Sequence, residues 1–271
     1  MPYPVPPAGL PEQSQLINDR ARFTSAYAVV PRGVLRDIVT SRLPGWHGTR
    51  AWILARPLSG FAETFFQAIL EISAGGYSEE PEPEPDAEGA FFVLDGELEI
   101  RLQDRTERLA QGGFAWIKPG ERYEVANPGA TPVTFHWIRK AYHWTRENPP
   151  PQSFSIDSES VASDPMEHSE GRWRTKRLLD PEDMGHDMHV NIVEFEPGGM
   201  IPFAETHVME HGIYILEGKG VYHLNNDWVE VQAGDFLWLR AFCPQACYAG
   251  GAGPFRYLLY KDVNRHSQLR L

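Results

Sequence analysis

The sequence predicts an all-β protein made of two copies of one unit. Its 271 residues include 24 Gly and 23 Pro, with 12% aromatic residues, which is typical of many short strands joined by tight turns. Short apolar or alternating runs broken by glycine recur along the chain. In residues 220–239 (GVYHLNNDWVEVQAGDFLWL), for example, the LNND stretch has the composition of a hairpin turn.

The third observation is an internal repeat. Residues 91–100 (FFVLDGELEI) resemble residues 213–222 (IYILEGKGVY), and residues 112–120 (GGFAWIKPG) resemble residues 233–241 (AGDFLWLRA). The two members of each pair lie about 122 residues apart. Self-similarity at a fixed spacing indicates a tandem duplication, so we expect two small β-barrels in one chain.

The repeat divides the chain into four predicted parts. Residues 1–50 precede the first copy and are expected to pack on the barrels as an N-terminal extension. Residues 51–147 form the first barrel, and residues 175–271 form the second. Residues 148–174 are rich in Ser, Pro and acidic residues, which indicates a linker between the barrels.

Charge and composition restrict the partners. A net charge of -12 leaves no basic patch for phosphates, so we expect neither a nucleic-acid nor a membrane partner, but a small molecule. The first residues (MPYPVPPAGLPEQSQL) lack the basic and apolar regions of a signal peptide, and we expect a cytoplasmic protein. Cys243 and Cys247 would lie about 13 Å apart on extended chain, so we expect two reduced, buried thiols.

The acidic, proline-rich run at residues 78–89 (SEEPEPEPDAEG) is predicted to be a solvated loop. Its alternating prolines remove backbone donors that a strand within a sheet would need.

Residues 205–220 (ETHVMEHGIYILEGKG) carry the strongest chemical signal. Glu205, His207 and His211 are separated by even numbers of residues, so on extended chain their side chains would share one face of a sheet. An isolated histidine near a strand is more often structural than functional. A carboxylate and two imidazoles that can converge on one point instead predict a metal site.

These residues and the GDFLWLRAFCPQACY segment (234–248) resemble the paired motifs of the cupin superfamily of small β-barrels. Glu205 stands at the first histidine position of the usual cupin, His207 at the second and His211 at the glutamate position. Gln245 stands at the histidine of the second motif. This altered set is similar to that of the (S)-ureidoglycine aminohydrolases, which are bicupins. The likeness covers most of the second half of the chain and, more loosely, the first.

The resemblance implies that Glu205, His207, His211 and Gln245 bind a metal ion. One carboxylate oxygen, two imidazole nitrogens and one amide oxygen suit a first-row divalent ion with two positions left open, and Mn²⁺ fits best. Fe²⁺ or another divalent ion is the alternative, while zinc commonly uses three protein ligands. We expect one ion per chain, in the second barrel.

The first copy is predicted to hold no metal. A shift of 122 residues places Pro83, Pro85 and Gly89 at the positions of Glu205, His207 and His211. None of these three side chains can bind an ion.

Further pocket residues are expected on the last strand. Tyr257 and Lys261 share one strand face, where a lysine turned into a barrel would need a negative partner such as a substrate carboxylate. The alternative places Lys261 at the rim, reaching solvent. The resemblance implies that Tyr257, Lys261 and Tyr222 contact substrate together with Glu205 and Gln245, with Glu205, Lys261 and Tyr257 as the catalytic residues.

The implied activity is the manganese-dependent hydrolysis of (S)-ureidoglycine to (S)-ureidoglycolate and ammonia in allantoin and purine catabolism. Two alternatives stay open: an Fe(II) dioxygenase, because two histidines and a carboxylate are also its ligand set, and a non-catalytic metabolite-binding bicupin. A metal-free barrel kept beside a working one suggests an intersubunit surface, so we expect a homo-oligomer.

Overall fold

The structure is a computed structural model that describes residues 20–35, 40–57 and 62–263, and β-strands dominate these ranges. The predicted all-β class is therefore confirmed. The strands in chain order are β1 Arg22–Phe23, β2 Tyr27–Val30, β3 Trp46–Ala55, β4 Phe66–Ser78, β5 Ala87–Asp95, β6 Leu98–Leu102, β7 Thr106–Leu109, β8 Gly113–Ile117, β9 Tyr123–Ala126, β10 Val133–Ala141, β11 Phe154–Asp157, β12 Ser163–Pro165, β13 Trp173–Arg177, β14 Met188–Phe195, β15 His211–Glu217, β16 Lys219–Leu224, β17 Asp227–Gln232, β18 Phe236–Leu239, β19 Gln245–Ala249 and β20 Phe255–Asp262. Short 3₁₀ helices span Arg32–Val34 and Ser158–Ser160.

The first barrel is one sheet folded around an apolar interior. Its strand order is β11-β8-β5-β10-β4-β9-β6-β7, with β3 paired to β4. Alternate residues of these strands, such as Phe91, Phe135 and Trp137, point inward and form one buried cluster. Every second side chain of a strand faces the same side, so this alternation places the remaining residues on the outer surface.

The second barrel repeats the arrangement with a split sheet. One part has the order β1-β2-β18-β15-β20-β14-β13-β12, and the other is the three-stranded sheet β17-β16-β19. Between β16 and β17 the predicted LNND turn is present, and Asn225 takes the positive φ of 55° that a tight hairpin requires. The interior is again apolar, with Tyr222, Phe255 and both cysteines buried in it. Cys243 and Cys247 are free thiols, as expected.

The ends of the two units are exchanged. Strand β2, from the N-terminal segment, pairs with β18 of the second barrel, with Val30 opposite Phe236. Strand β11, from the predicted linker, pairs with β8 of the first barrel. The predicted boundary at residue 50 falls within β3. Residues 1–19, 36–39, 58–61 and 264–271 of the predicted parts lie outside the described residues.

A third apolar cluster lies between the barrels. Ile69, Phe92 and Trp116 of the first unit pack in it with Val190 and Trp238 of the second. The barrels therefore meet along the outer faces of their sheets, where apolar side chains of both units pack together. Within the described ranges, no helix is long and apolar enough to cross a membrane.

The prediction of a solvated loop at residues 78–89 is wrong at its ends. Strand β4 extends to Ser78, and strand β5 begins at Ala87, so that Glu88 is fully buried in the sheet. Inside the loop, Glu82 accepts a hydrogen bond from Arg139 Nε at 2.7 Å. Prolines exclude regular pairing only within the middle of the run, and the sequence does not reveal the buried partners at its ends.

Candidate active site

The second barrel contains a cavity of about 140 Å³. It is lined by six of the residues singled out from sequence: Glu205, His207, His211, Gln245, Tyr257 and Lys261. The first four come from the two motif segments, and the last two come from strand β20. The structure thus brings together residues up to 56 positions apart on one concave surface.

Glu205 and Gln245 are joined through their backbones. The Glu205 N–H donates to the Gln245 carbonyl at 2.8 Å, and the Gln245 N–H donates back at 2.9 Å. This isolated bridge fixes the first motif segment against the start of β19. Further along, the Phe242 N–H donates to the His207 carbonyl at 2.8 Å, which ties the loop before β19 to the same segment. The two motifs are therefore held together before any ligand is considered.

The two histidines are neighbours, although they do not share a strand. His207 lies in irregular backbone, whereas His211 is the first residue of β15, where it stands opposite Lys261 of β20. Their ring centroids are 4.6 Å apart. The His207 Nε2 also lies 3.5 Å from the Gln245 amide nitrogen. The convergence expected from even spacing is present, but a loop rather than a continuous strand produces it.

Burial sets the electrostatics of these side chains. It lowers the pKa of His207 and holds the pKa of His211 well below its usual value, and the nearby Lys261 ammonium acts in the same direction. Burial also raises the pKa of Glu205 and lowers that of Lys261, although the attraction between these two groups opposes both shifts. Both imidazoles are therefore neutral near pH 7, with lone pairs free to bind a cation.

Lys261 is partly buried and is one of the cavity-lining residues. Its ammonium forms no salt bridge within the described part of the chain, and burial raises the pKa of the neighbouring Tyr257 hydroxyl well above its usual value. Tyr222 is fully buried, with its ring centroid 6.1 Å from that of Tyr257. It belongs to the barrel interior next to Tyr257 and is not among the cavity-lining residues.

Three polar cavity residues were missed by the sequence reasoning. Thr175 and Arg177 of β13 and Asn191 of β14 line the wall beside β20. Arg177 forms an ion pair with Asp164 at 2.9 Å, whereas Asn191 is buried. The alternation in MHVNIVEF, which places Asn191 on the same side as Val193 and Phe195, is the signal that would have found it.

The donor chemistry of the site fits a divalent cation. Glu205 offers a carboxylate, His207 and His211 offer neutral imidazoles, and the Gln245 amide would present its oxygen after a 180° turn about its last side-chain bond. Within the described residues, no three His, Cys, Asp or Glu side chains are grouped closely enough to hold an ion. The four donors therefore line one cavity, and their side chains would have to move closer together to bind one metal ion.

The first barrel has a different interior at the matching positions. Arg139, the counterpart of Lys261, forms a salt bridge with Glu82, and its guanidinium lies 4.8 Å from the centroid of the Trp137 ring. Tyr123 stands at the position of Gln245, and burial raises its hydroxyl pKa above the usual value. Gly89 stands in place of His211. This interior is thus closed by its own aromatic rings and ion pair.

Comparison with known proteins defines the class first. The model of the cupin domain matches residues 68–139 and 191–260, one match in each barrel, so the protein is a bicupin. A solved glyoxylate-induced protein of Pseudomonas aeruginosa superimposes with a TM-score of 0.89 at 57% identity, covering 100% of this chain and 99% of that one.

Two curated relatives narrow the class. The (S)-ureidoglycine aminohydrolase of Escherichia coli K12 is 30% identical over 89% of this chain and 89% of its own length. That of Arabidopsis thaliana is 30% identical over 84% of this chain and 74% of its own length. The chain belongs to the (S)-ureidoglycine aminohydrolase family, and the resemblance found in the motifs is confirmed.

Proposed function

We propose that the chain hydrolyses (S)-ureidoglycine to (S)-ureidoglycolate and ammonia, a step in purine catabolism. One observation carries the proposal: the second barrel places Glu205, His207, His211, Gln245 and Lys261 around a single cavity. The names of the relatives state the same activity for proteins that match this chain over most of its length. We also infer that the protein works in the cytoplasm.

The size and charge of the cavity suit this substrate. Its volume of about 140 Å³ is well below the ~300 Å³ at which pockets for drug-sized ligands begin, so it favours a molecule of few heavy atoms. Ureidoglycine carries a carboxylate, and the Lys261 ammonium is a buried cation that a carboxylate would neutralise. The amide of Asn191 is suited to the planar ureido group, because it can both donate and accept hydrogen bonds.

We infer that the cofactor is a divalent metal ion, Mn²⁺ in preference to Fe²⁺, held by Glu205, His207, His211 and Gln245. The mixed oxygen and nitrogen donor set, with neutral imidazoles, supports this choice. When bound, the ion would polarise the substrate and lower the pKa of a nearby water molecule. Tyr257 and the cavity wall would keep other water away from the reacting carbon.

Each remaining residue then has a defined task. Lys261 and the Tyr257 hydroxyl hold the carboxylate end, which fixes the face of the carbon that water can approach. Glu205 carries the sole carboxylate among the described cavity-lining residues. Burial raises its pKa above the usual value, and we assign to its side-chain oxygen the proton transfer between water and the departing ammonia.

The decisive test is an ammonia-release assay with freshly prepared ureidoglycine and added manganese. The proposal predicts ammonia and ureidoglycolate in equal amounts, with no oxygen consumed. Oxygen uptake with the same substrate would instead identify an Fe(II) dioxygenase. Binding without any turnover would identify a metabolite-binding bicupin.

We further propose that the protein is a homo-oligomer. A barrel without a metal site has a use if its surface joins subunits, and closed symmetric assemblies are the common outcome of such surfaces. Light scattering at micromolar concentration should report a mass that is a multiple of the 30.7 kDa chain. A monomer mass would refute this proposal without touching the assignment of the cavity.

A further inference from the structure

Outward-facing residues of the second barrel alternate with the cavity-facing ones. Glu210 precedes His211, and Tyr260 and Asp262 flank Lys261. Since neighbouring side chains of a strand point to opposite sides, these three face the first barrel while His211 and Lys261 face the cavity. Contacts that hold Glu210, Tyr260 and Asp262 in place therefore also fix the backbone that carries the cavity residues.

Glu210 is held by a dense set of hydrogen bonds. Its side chain is buried, and its Oε1 accepts from the Glu63 N–H at 2.8 Å and from the Trp238 Nε1–H at 2.6 Å. Its Oε2 accepts from the Thr64 N–H at 2.9 Å and from the Thr64 hydroxyl at 2.6 Å. Three of these four donors belong to residues 63–64, which lie just before β4 of the first barrel.

Strand β20 is tied to the same place. The Asp262 N–H donates to the Glu210 carbonyl at 3.1 Å, and Lys140 of the first barrel lies 3.6 Å from the Asp262 carboxylate. The ring of Tyr260 stacks on Phe65 with the centroids 4.1 Å apart. The segment that leads into β15 and strand β20 are thus both anchored on the first barrel, at residues 63–65 and at Lys140.

Strand β15 packs tightly against the first barrel at Gly212. A Cβ atom at Gly212, the residue after His211, would lie 2.3 Å from Gln67 Oε1 and 2.8 Å from the Phe65 ring. Such distances are far below van der Waals contact, so only glycine lets β15 approach the first barrel this closely. The position of His211 relative to that barrel is consequently well defined.

We propose that residues 63–65 and Lys140 form a clamp, through which the metal-free first barrel positions His211 and Lys261 in the second. Glu210 is the central positioning residue of this clamp. The inference rests on the proposed function for the roles of His211 and Lys261. Losing a hydrogen bond just outside a metal site commonly weakens metal binding by about 10- to 100-fold, because such bonds fix the orientation of the ligands.

The duplication supplies a matched control. Glu88 is the counterpart of Glu210, and Trp116 donates its Nε1–H to Glu88 at 3.0 Å just as Trp238 donates to Glu210. Both tryptophans are buried in the interface between the barrels. Beside Glu88, however, stands Gly89 instead of a metal-binding histidine. Loss of the donor at Trp116 removes the same kind of bond from the same interface without reaching a ligand.

The test compares Trp238→Phe with Trp116→Phe in the full chain. Manganese affinity is measured by the electron paramagnetic resonance signal of free Mn²⁺, stability by urea unfolding, and kcat and KM by ammonia release. We expect both variants to lose similar stability. Trp238→Phe should bind Mn²⁺ about tenfold more weakly and lose kcat more than KM, while Trp116→Phe should bind it with parent affinity.

A second pair guards against a folding defect. Thr64→Val removes the hydroxyl bond to Glu210 and the 3.5 Å contact with the Tyr260 hydroxyl, and it should weaken Mn²⁺ binding. Thr64→Ser keeps the hydroxyl and should restore parent affinity. Equal Mn²⁺ affinities in Trp238→Phe and Trp116→Phe, or no Mn²⁺ binding by the parent, would overturn the clamp. Ammonia release by the parent reports on the proposed function alone, so that a parent that binds Mn²⁺ without releasing ammonia refutes the activity and leaves the comparison of affinities in force.

Discussion

The two barrels share their strand order, and each matches the cupin domain, but a partly buried cation has different surroundings in each. In the first, Arg139 is neutralised by Glu82 from the same chain and covered by Trp137. In the second, Lys261 has no such partner within the described residues and opens onto a cavity. The comparison teaches that one fold can either neutralise such a cation with its own carboxylate or leave it facing a cavity.

The largest expected effect is the loss of the metal. In the double variant His207→Ala, His211→Ala, both imidazole ligands are gone, and we expect no manganese and no measurable ammonia release. Metal analysis of the parent should give one ion per chain. Two ions per chain, or an ion retained in the double variant, would show that the barrels do not differ as described.

The second expected effect concerns the two cations. Lys261→Met keeps most of the side-chain volume but leaves a bound carboxylate unpaired, a loss of roughly 2–5 kcal/mol. We expect kcat/KM to fall by about two to three orders of magnitude while manganese content is unchanged.

The control for this variant lies in the first barrel. Replacing its ion pair by Arg139→Met together with Glu82→Gln should leave kcat/KM at the parent value. Steady-state kinetics on both proteins decide the matter. A Lys261→Met protein with parent kcat/KM would remove Lys261 from the site and return it to the rim.

A smaller effect is expected where the glycines of the two units differ. Gly212→Ala forces a Cβ into Gln67 and Phe65, and overpacking of this kind costs about 1–3 kcal/mol. At Gly89, the nearest atom to an added Cβ is Trp137 Nε1 at 3.7 Å, so Gly89→Ala should change stability by less than about 1 kcal/mol. Urea unfolding of the two variants measures the difference, and equal stabilities would mean that the barrels are not tightly packed at Gly212.

The last prediction concerns the pH dependence of stability. Burial raises the pKa of Glu88 to about 8, and its Oε1 has no hydrogen-bond partner within the described structure. Above its ordinary value of 4.5 the unfolded state releases this proton while the folded state keeps it, so folding loses stability as the pH rises from 4.5 to about 8.

The corresponding variant is Glu88→Gln, which cannot ionise. It should remove this slope and stabilise the protein at pH 8 by on the order of 4 kcal/mol. Urea unfolding at a series of pH values between 5 and 8 provides the measurement. A parent and variant with parallel pH profiles would show that Glu88 is already ionised in the fold.

The fold could be predicted because the duplication and the alternation of apolar residues are both visible in the sequence without knowledge of the contacts between strands. Sequence reasoning also predicted that Glu205, His207, His211 and Gln245 lie together, and all four line one cavity. The reason differs from the predicted one, because His207 and His211 meet through a loop and not through the parity of one strand. Parity describes side chains only where the backbone is extended. A motif spacing can therefore be right while its local geometry is different.

What could not be predicted depends on contacts between distant segments. The alternation in β14 puts Asn191 on one strand face with Val193, but its pairing beside Leu259 is needed to place that face in the cavity wall. Glu210 looked like part of an acidic motif, yet it bonds to residues almost 150 positions earlier. No periodicity within a strand carries this information, because it is set by how the two barrels pack together.

The exchange of edge strands has a consequence for the order of events during synthesis. Strand β2, the apolar and fully buried YAVV segment, leaves the ribosome early, but its partner β18 is translated about 200 residues later. Until then β1 is its one partner among the described strands, and the other edge of this apolar segment stays unpaired, which favours aggregation. Such distant pairing also raises the contact order and slows folding. The β1–β2 pair at the edge of the second barrel's sheet is thus translated before that barrel and can be placed only after β18 is made.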